Sequence, residues 1–176
     1  MSKQKQKEAV YSWLNGILIE RQPDLLAVTL TFKQTIKPKE SAGAVFIKLN
    51  RERAEQNVRH FLNKLNQKVL GKRFRRFKKR LISVPVYEKG EDTRFHAHLV
   101  LEKPPEITLE AFIDLVDECW QSTDFGYKDM DIQTAVDSGW IAYMLKNRTK
   151  PEGVLEAIDI QNCHLTDHRI DSFARR

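Results

Sequence analysis

Apolar side chains recur at helical spacing over residues 6–21, where Val10, Trp13, Leu14, Ile17 and Leu18 fall on one stripe. Gln22-Pro23-Asp24 breaks the pattern and predicts the end of an N-terminal helical extension within residues 1–24. From Leu25 the period changes. Residues 25–32 (LLAVTLTF) are rich in strand formers, with Val28, Leu30 and Phe32 on one face and Thr29 and Thr31 on the other. Residues 33–44 read as a loop. Asn50 is placed to cap a helix over residues 51–70 with the stripe Ala54, Val58, Phe61, Leu62, Leu65 and Val69, and Gly71 follows at its end.

Residues 81–88 (LISVPVYE) and 94–101 (RFHAHLVL) alternate as two strands about a polar turn at 89–93, which makes a hairpin. Pro85 points to an edge or a bulge. Thr108 caps a helix reaching Trp120, residues 129–136 predict a further strand, and Ser138 caps a helix through Lys146. Residues 154–160 fit a strand or a helix, and residues 151–176 form a tail whose pattern favours neither. The order helix, strand, helix, strand, strand, helix, strand, helix predicts one α+β domain over residues 1–176, a mostly antiparallel sheet with helices packed on it.

Composition narrows the class. With 176 residues, 41% apolar and 31% charged, the chain has enough apolar surface for its own core and is not a disordered composition. No apolar run approaches the ~18–20 residues of a membrane span, and the polar, basic start carries no secretory pattern. Cys119 and Cys163 form no CxxC pair and read as free thiols, so a cytoplasmic protein is expected. The formal charge of +6 is local. The run Lys72-Arg73-Phe74-Arg75-Arg76-Phe77-Lys78-Lys79-Arg80 holds seven cations and no acid, which leaves 23 cations against 24 acids elsewhere. Such a focus suits a polyanion, with the cations on phosphates and Phe74 and Phe77 available for stacking on unpaired bases.

Two constellations carry chemistry. In Phe95-His96-Ala97-His98-Leu99 the strand period puts both imidazoles on one face and the apolar residues on the other. Glu88 ends the preceding strand, so antiparallel pairing can bring its carboxylate to the same face. Two imidazoles and a carboxylate with open positions suit Mn²⁺ or Mg²⁺ on a phosphate, without excluding zinc. Glu91 and Asp92 on the turn are fallback ligands. The second constellation is Tyr143 with Lys146 three residues on, one helical face carrying a phenol and an ammonium. An ammonium beside a phenol favours the ionised form, which is a competent nucleophile.

His96-Ala97-His98 between apolar neighbours resembles the His-hydrophobe-His motif of HUH endonucleases, and Tyr143-Met144-Leu145-Lys146 resembles the YxxK motif of their single-tyrosine replication initiators. The order, histidines first, and the separation of 45 residues between His98 and Tyr143 are similar to the initiators rather than to relaxases. Thr29-Leu30-Thr31 is similar to the family's first motif, and Glu88 stands where initiators often carry a third metal ligand. The resemblance covers roughly residues 26–146. It implies a ferredoxin-like or RRM-like HUH fold with the histidines on a central strand and the tyrosine on a neighbouring helix. It also implies metal-assisted nicking and rejoining of single-stranded DNA at a replication origin, which can include a hairpin, through a 5′-phosphotyrosine. The rolling-circle replicon would be a plasmid or a phage. No helicase segment follows Lys146, so a host helicase is the expected partner, the chain being a monomer or weak dimer with no membrane role.

Three other readings stay open. A single-tyrosine insertion-sequence transposase uses the same chemistry, with Asn147 as the polar residue that completes its metal site. A non-catalytic nucleic-acid-binding module of the same layers would need aromatic residues on an open sheet face. A zinc protein would use Cys163, His164 and His168.

Overall fold

A computed structural model describes residues 2–18, 25–38, 45–89, 94–134, 136–146 and 154–165. Along the chain the elements are α1 (Lys3–Leu18), β1 (Leu25–Phe32), β2 (Thr35–Ile36), β3 (Ile47–Lys48), α2 (Arg51–Leu70), α3 (Lys72–Phe77), β4 (Ser83–Glu88), β5 (His96–Glu102), α4 (Leu109–Gln121), β6 (Gly126–Gln133), α5 (Ser138–Met144) and α6 (Val154–Ala157). The protein is an α+β molecule. Its main sheet has four antiparallel strands in the order β4-β5-β1-β6, and β2 and β3 form a separate two-stranded ribbon.

β1, β4 and β5 bury both faces, which makes three layers. Leu26, Val28, Leu30 and Phe32 of β1, with Ala97, Leu99 and Leu101 of β5, pack under α2 and α4. The alternate residues Leu25, Ala27, Val84, Val86 and Val100 pack against Leu14 and Leu18 of α1, Ile141, Met144 and Leu145 at α5, and Ile158. The long helices form for local reasons as well. Asn50 Oδ1 accepts from Arg53 N and Thr108 Oγ1 accepts from Ala111 N, each satisfying an orphan amide in the first turn. Pro85 sits on an edge strand as anticipated, and its carbonyl oxygen accepts from Asp159 N.

Several local expectations are corrected. β6 begins at Gly126 rather than Asp129 and ends at Gln133. Gly126 allows this early start, because a Cβ there would run into the Trp120 carbonyl oxygen as the strand leaves α4. The stretch read as a loop contains β2, which pairs with β3. α5 is capped by Asp137, whose Oδ1 accepts from Trp140 N at 2.7 Å, and Ser138 becomes its first helical residue. The basic run opens as a short helix, α3, behind Gly71 at φ +51°. Residues 154–165 lie along β4, with bridges from Ile158 to Val86 and from His164 to Ser83. Among the described residues no helix is long and apolar enough to cross a membrane.

Candidate metal centre

Strand pairing assembles the site. Glu88 stands opposite His96 across β4 and β5, and Val86 opposite His98. On the other side of β5, β1 brings Thr29 opposite His98 and Thr31 opposite His96. Directly opposed residues share a face, so a carboxylate, two imidazoles and two hydroxyls gather on the face that also carries α5.

One ligand atom from each of Glu88, His96 and His98 lies within 4.8 Å of the others. Glu88 Oε2 is 3.2 Å from His98 Nε2 and 3.9 Å from His96 Nε2. The outer ring nitrogens have their own partners. His96 Nδ1 is 2.9 Å from the Arg94 carbonyl oxygen, and His98 Nδ1 is 3.1 Å from Thr29 Oγ1. A carbonyl oxygen can only accept, so His96 Nδ1 carries a proton, and in the neutral ring Nε2 is left as a lone-pair donor facing Glu88. The Thr29 hydroxyl, at hydrogen-bond distance from His98 Nδ1, orients the second ring. Metal-ligating histidines are fixed by this kind of outer partner. Glu88 Oε2 lies within hydrogen-bond distance of His98 Nε2, and a divalent ion shared by the carboxylate and both Nε2 atoms would take the place of that contact. Glu88 and His98 are only 5% and 2% exposed, so water screens them little. This donor set fits a divalent ion that keeps open coordination positions.

α5 brings the second constellation against the first. Its buried Ile141 and Met144 anchor the helix, and Trp140, Tyr143 and Lys146, three residues apart, share a stripe. Tyr143 meets the His98 ring edge to face at 5.2 Å and stacks on Trp140 at 5.4 Å. Lys146 Nζ lies 4.0 Å from the centre of the Tyr143 ring and 3.4 Å from Glu88 Oε1, so it bridges the phenol and the carboxylate. Tyr143 remains 44% exposed, on the wall of a cleft of about 710 Å³ whose floor is Thr29, Thr31, His96 and His98. Asp131 and Asp137 line the cleft as well.

The structure therefore brings Glu88, His96, His98, Tyr143 and Lys146 to one place. It keeps the basic run elsewhere. Lys72, Arg73, Phe74, Arg75, Arg76 and Phe77 form α3, which contacts α2, and Phe74 packs against the core under α2 and α4. Neither α3 nor the following Lys78, Lys79 and Arg80 lines the cleft. Of the paired phenylalanines, Phe74 is partly buried and Phe77 is exposed. Sequence reasoning gave no role to Trp140, to Asp131 or to the Thr29 hydroxyl. The signals were present: Trp140 is one helical turn before Tyr143, and Thr29 falls opposite His98 once the hydrophobic faces of β1 and β5 are aligned.

Other titratable side chains are not gathered here. Tyr87 is buried, and its hydroxyl donates to Asp159 Oδ2 at 2.9 Å. Burial and then the Asp159 charge raise its pKa well above the usual phenol range, which keeps it protonated. Burial and then Asp159 likewise push the Cys163 thiol up to about 12. Among the described residues, Glu88, His96 and His98 are the one convergent group of three or more potential metal ligands. Glu91, Asp92, Asn147 and His168 lie outside the described residues. In comparisons with known proteins, no family model, no curated protein and no solved structure matches this chain.

Proposed function

We propose that this chain is a HUH-type endonuclease and strand transferase of the single-tyrosine initiator kind, which nicks and rejoins single-stranded DNA. The observation that carries the reading is the contact of Tyr143 and Lys146 with His98 and Glu88, which joins two motifs 45 residues apart in one cleft. The sheet supports it too. Its four strands and two crossing helices run β-α-β-β-α-β with β5 and β1 central, the connectivity of ferredoxin-like folds.

A divalent ion, Mn²⁺ or Mg²⁺, held by Glu88, His96 and His98 would supply Lewis-acid polarisation of a phosphate oxygen. A cleft lined by Asp131 and Asp137, with Glu88 behind His98, would otherwise repel a phosphodiester. Lys146 holds Glu88 by charge and lies against the Tyr143 ring, so it couples the carboxylate to the phenol. The Tyr143 phenol gives up its proton, its oxygen bonds to phosphorus, and the bond from phosphorus to the 3′ oxygen breaks. That oxygen takes up a proton and leaves as a 3′-hydroxyl. The phosphodiester energy stays in the 5′-phosphotyrosine, so a 3′-hydroxyl reverses the step without ATP. Initiation of rolling-circle replication of a plasmid or phage, with a host helicase to displace the strand, is the role that uses this chemistry.

Tyr143→Phe tests the reading. With Mn²⁺ and a pool of single-stranded DNA, the wild type should give a covalent adduct on a denaturing gel. The variant should bind the pool equally and give none. Adduct from Tyr143→Phe would remove Tyr143 from the mechanism, and wild type that binds without any adduct would favour a non-catalytic binding module.

A further inference from the structure

The cleft and the basic run lie on opposite layers of the molecule, and the basic layer has a built surface of its own. Arg80 lies 5.1 Å over the Phe74 ring, and its Nη1 donates to Asn63 Oδ1 at 2.9 Å. Beside it a pocket of about 250 Å³ opens between α2, the start of β4 and residues 161–164. Arg59 lines that pocket, with Nε donating to Asn162 Oδ1 at 3.2 Å and Nη2 donating to Gln161 Oε1 at 2.8 Å. A second hollow of about 250 Å³ lies between Lys72, Arg75 and Arg76 on α3. Arg80 lines the first of the two and reaches Phe74 of α3.

Arg59 and Arg80 are steadied by amide oxygens. An amide orients a guanidinium without cancelling its charge. Elsewhere on α2, Arg51 pairs with Glu55 and Lys68 with Glu118. Among the described residues Lys72, Arg73, Arg75, Arg76 and Lys78 make no ion pair. Oriented, uncancelled cations repel one another in the free protein and are stabilised when a polyanion lies across them.

We propose that α3 with Arg59 and Arg80 is a second nucleic-acid-binding surface, which holds the single strand flanking the reacting phosphate after that strand has passed round the β4 edge. The proposal rests on the reading above in taking single-stranded DNA as the ligand. Phe77, 57% exposed among these cations, favours a single strand over a duplex, because only unpaired bases offer a free face for stacking. The two surfaces are well separated. Glu88 is at one end of β4 and Ser83, in the wall of the Arg59 pocket, is at the other, ~17 Å along the strand. A strand must therefore extend several nucleotides beyond the cleft to reach the second surface.

The test compares oligonucleotides of about 6 and about 20 nucleotides, the short one filling the cleft alone. Binding is followed by fluorescence anisotropy across a salt series, with the triple variant Lys72→Gln, Arg75→Gln, Arg76→Gln. The long strand should bind about tenfold more weakly, and its log–log salt dependence should become shallower by about 2, as three lost phosphate contacts require. The short strand should keep its affinity within about twofold. Arg59→Gln and Arg80→Gln, single changes outside α3, should give the same length-selective loss on a smaller scale. Equal loss at both lengths, an unchanged salt slope, or tighter binding of a 20-base-pair duplex than of the single strand would each overturn the proposal. The nicking reading has a separate readout, wild-type adduct on the short strand. Length-selective loss without adduct leaves the second surface standing and removes the nuclease; adduct without length-selective loss does the reverse.

Discussion

One sheet has two faces, and they are used differently. On the face under α2 and α4 the apolar positions run the full length of β1 and β5, and Phe32, Phe61 and Trp120 lock edge to face at 5.0 and 5.6 Å. On the other face β1, β5 and β4 each change character midway. β1 goes from Leu25 and Ala27 to Thr29 and Thr31, β5 from Val100 to His98 and His96, and β4 from Val84 and Val86 to Glu88. The first face supplies cohesion, and the second gives half its length to a carboxylate, imidazoles and hydroxyls that could hold a cation. A dry, continuous core on one side lets a polar half-face be held rigidly on the other, because the same backbone ladder carries both.

The largest change that tests this division is Trp120→Ala. It opens a cavity in the fully apolar face and should cost ~3–5 kcal/mol in denaturant unfolding, while the folded fraction keeps its Mn²⁺ affinity. A loss under about 1 kcal/mol would mean that this face is not the main source of cohesion. Thr29→Val is next. It keeps the shape and removes the oxygen that orients His98, so Mn²⁺ should bind ~10- to 100-fold more weakly by calorimetry. With chelator present the variant should unfold within about 1 kcal/mol of wild type, and a larger shift would show that the polar half-face also carries stability. The smallest effect is Asp137→Ala, which removes the cap of α5 and should cost about 1 kcal/mol. Faster amide exchange confined to α5 would show that the second wall of the cleft opens independently of the sheet.

Much of this was legible locally. The caps Asn50 and Thr108, the stripes of α2 and α4, and the alternation in Phe95-His96-Ala97-His98 each depend on neighbours in sequence, and the same-face placement of Glu88 follows from a short hairpin. The metal group could thus be assembled from spacing alone. What escaped depends on contacts distant in the chain. KRFRRF is too short, with only Phe74 and Phe77 apolar, to show a helical period, and its helix follows α2 behind Gly71 with Phe74 reaching the core. Its assignment to the layer away from the cleft could not be read from charge. Residues 154–165 are short of periodic signal because their order comes from hydrogen bonds to β4 and from Asp159, which ties Tyr87 to Asn162. The early start of β6 was hidden because Gly126 reads as a turn residue, yet serves there as the closest approach to α4.

The outer strands of the sheet are finished in two ways. On β4, Ser83 exchanges both backbone hydrogen bonds with His164, and the Pro85 carbonyl takes the Asp159 amide, so the chain itself occupies the groups that would otherwise recruit another molecule's strand. On β6 no such cover is needed, because Lys128, Asp129 and Asp131 put charge along the rim. Self-association through sheet extension is thereby discouraged at both margins, by occupation at one and by hydration at the other.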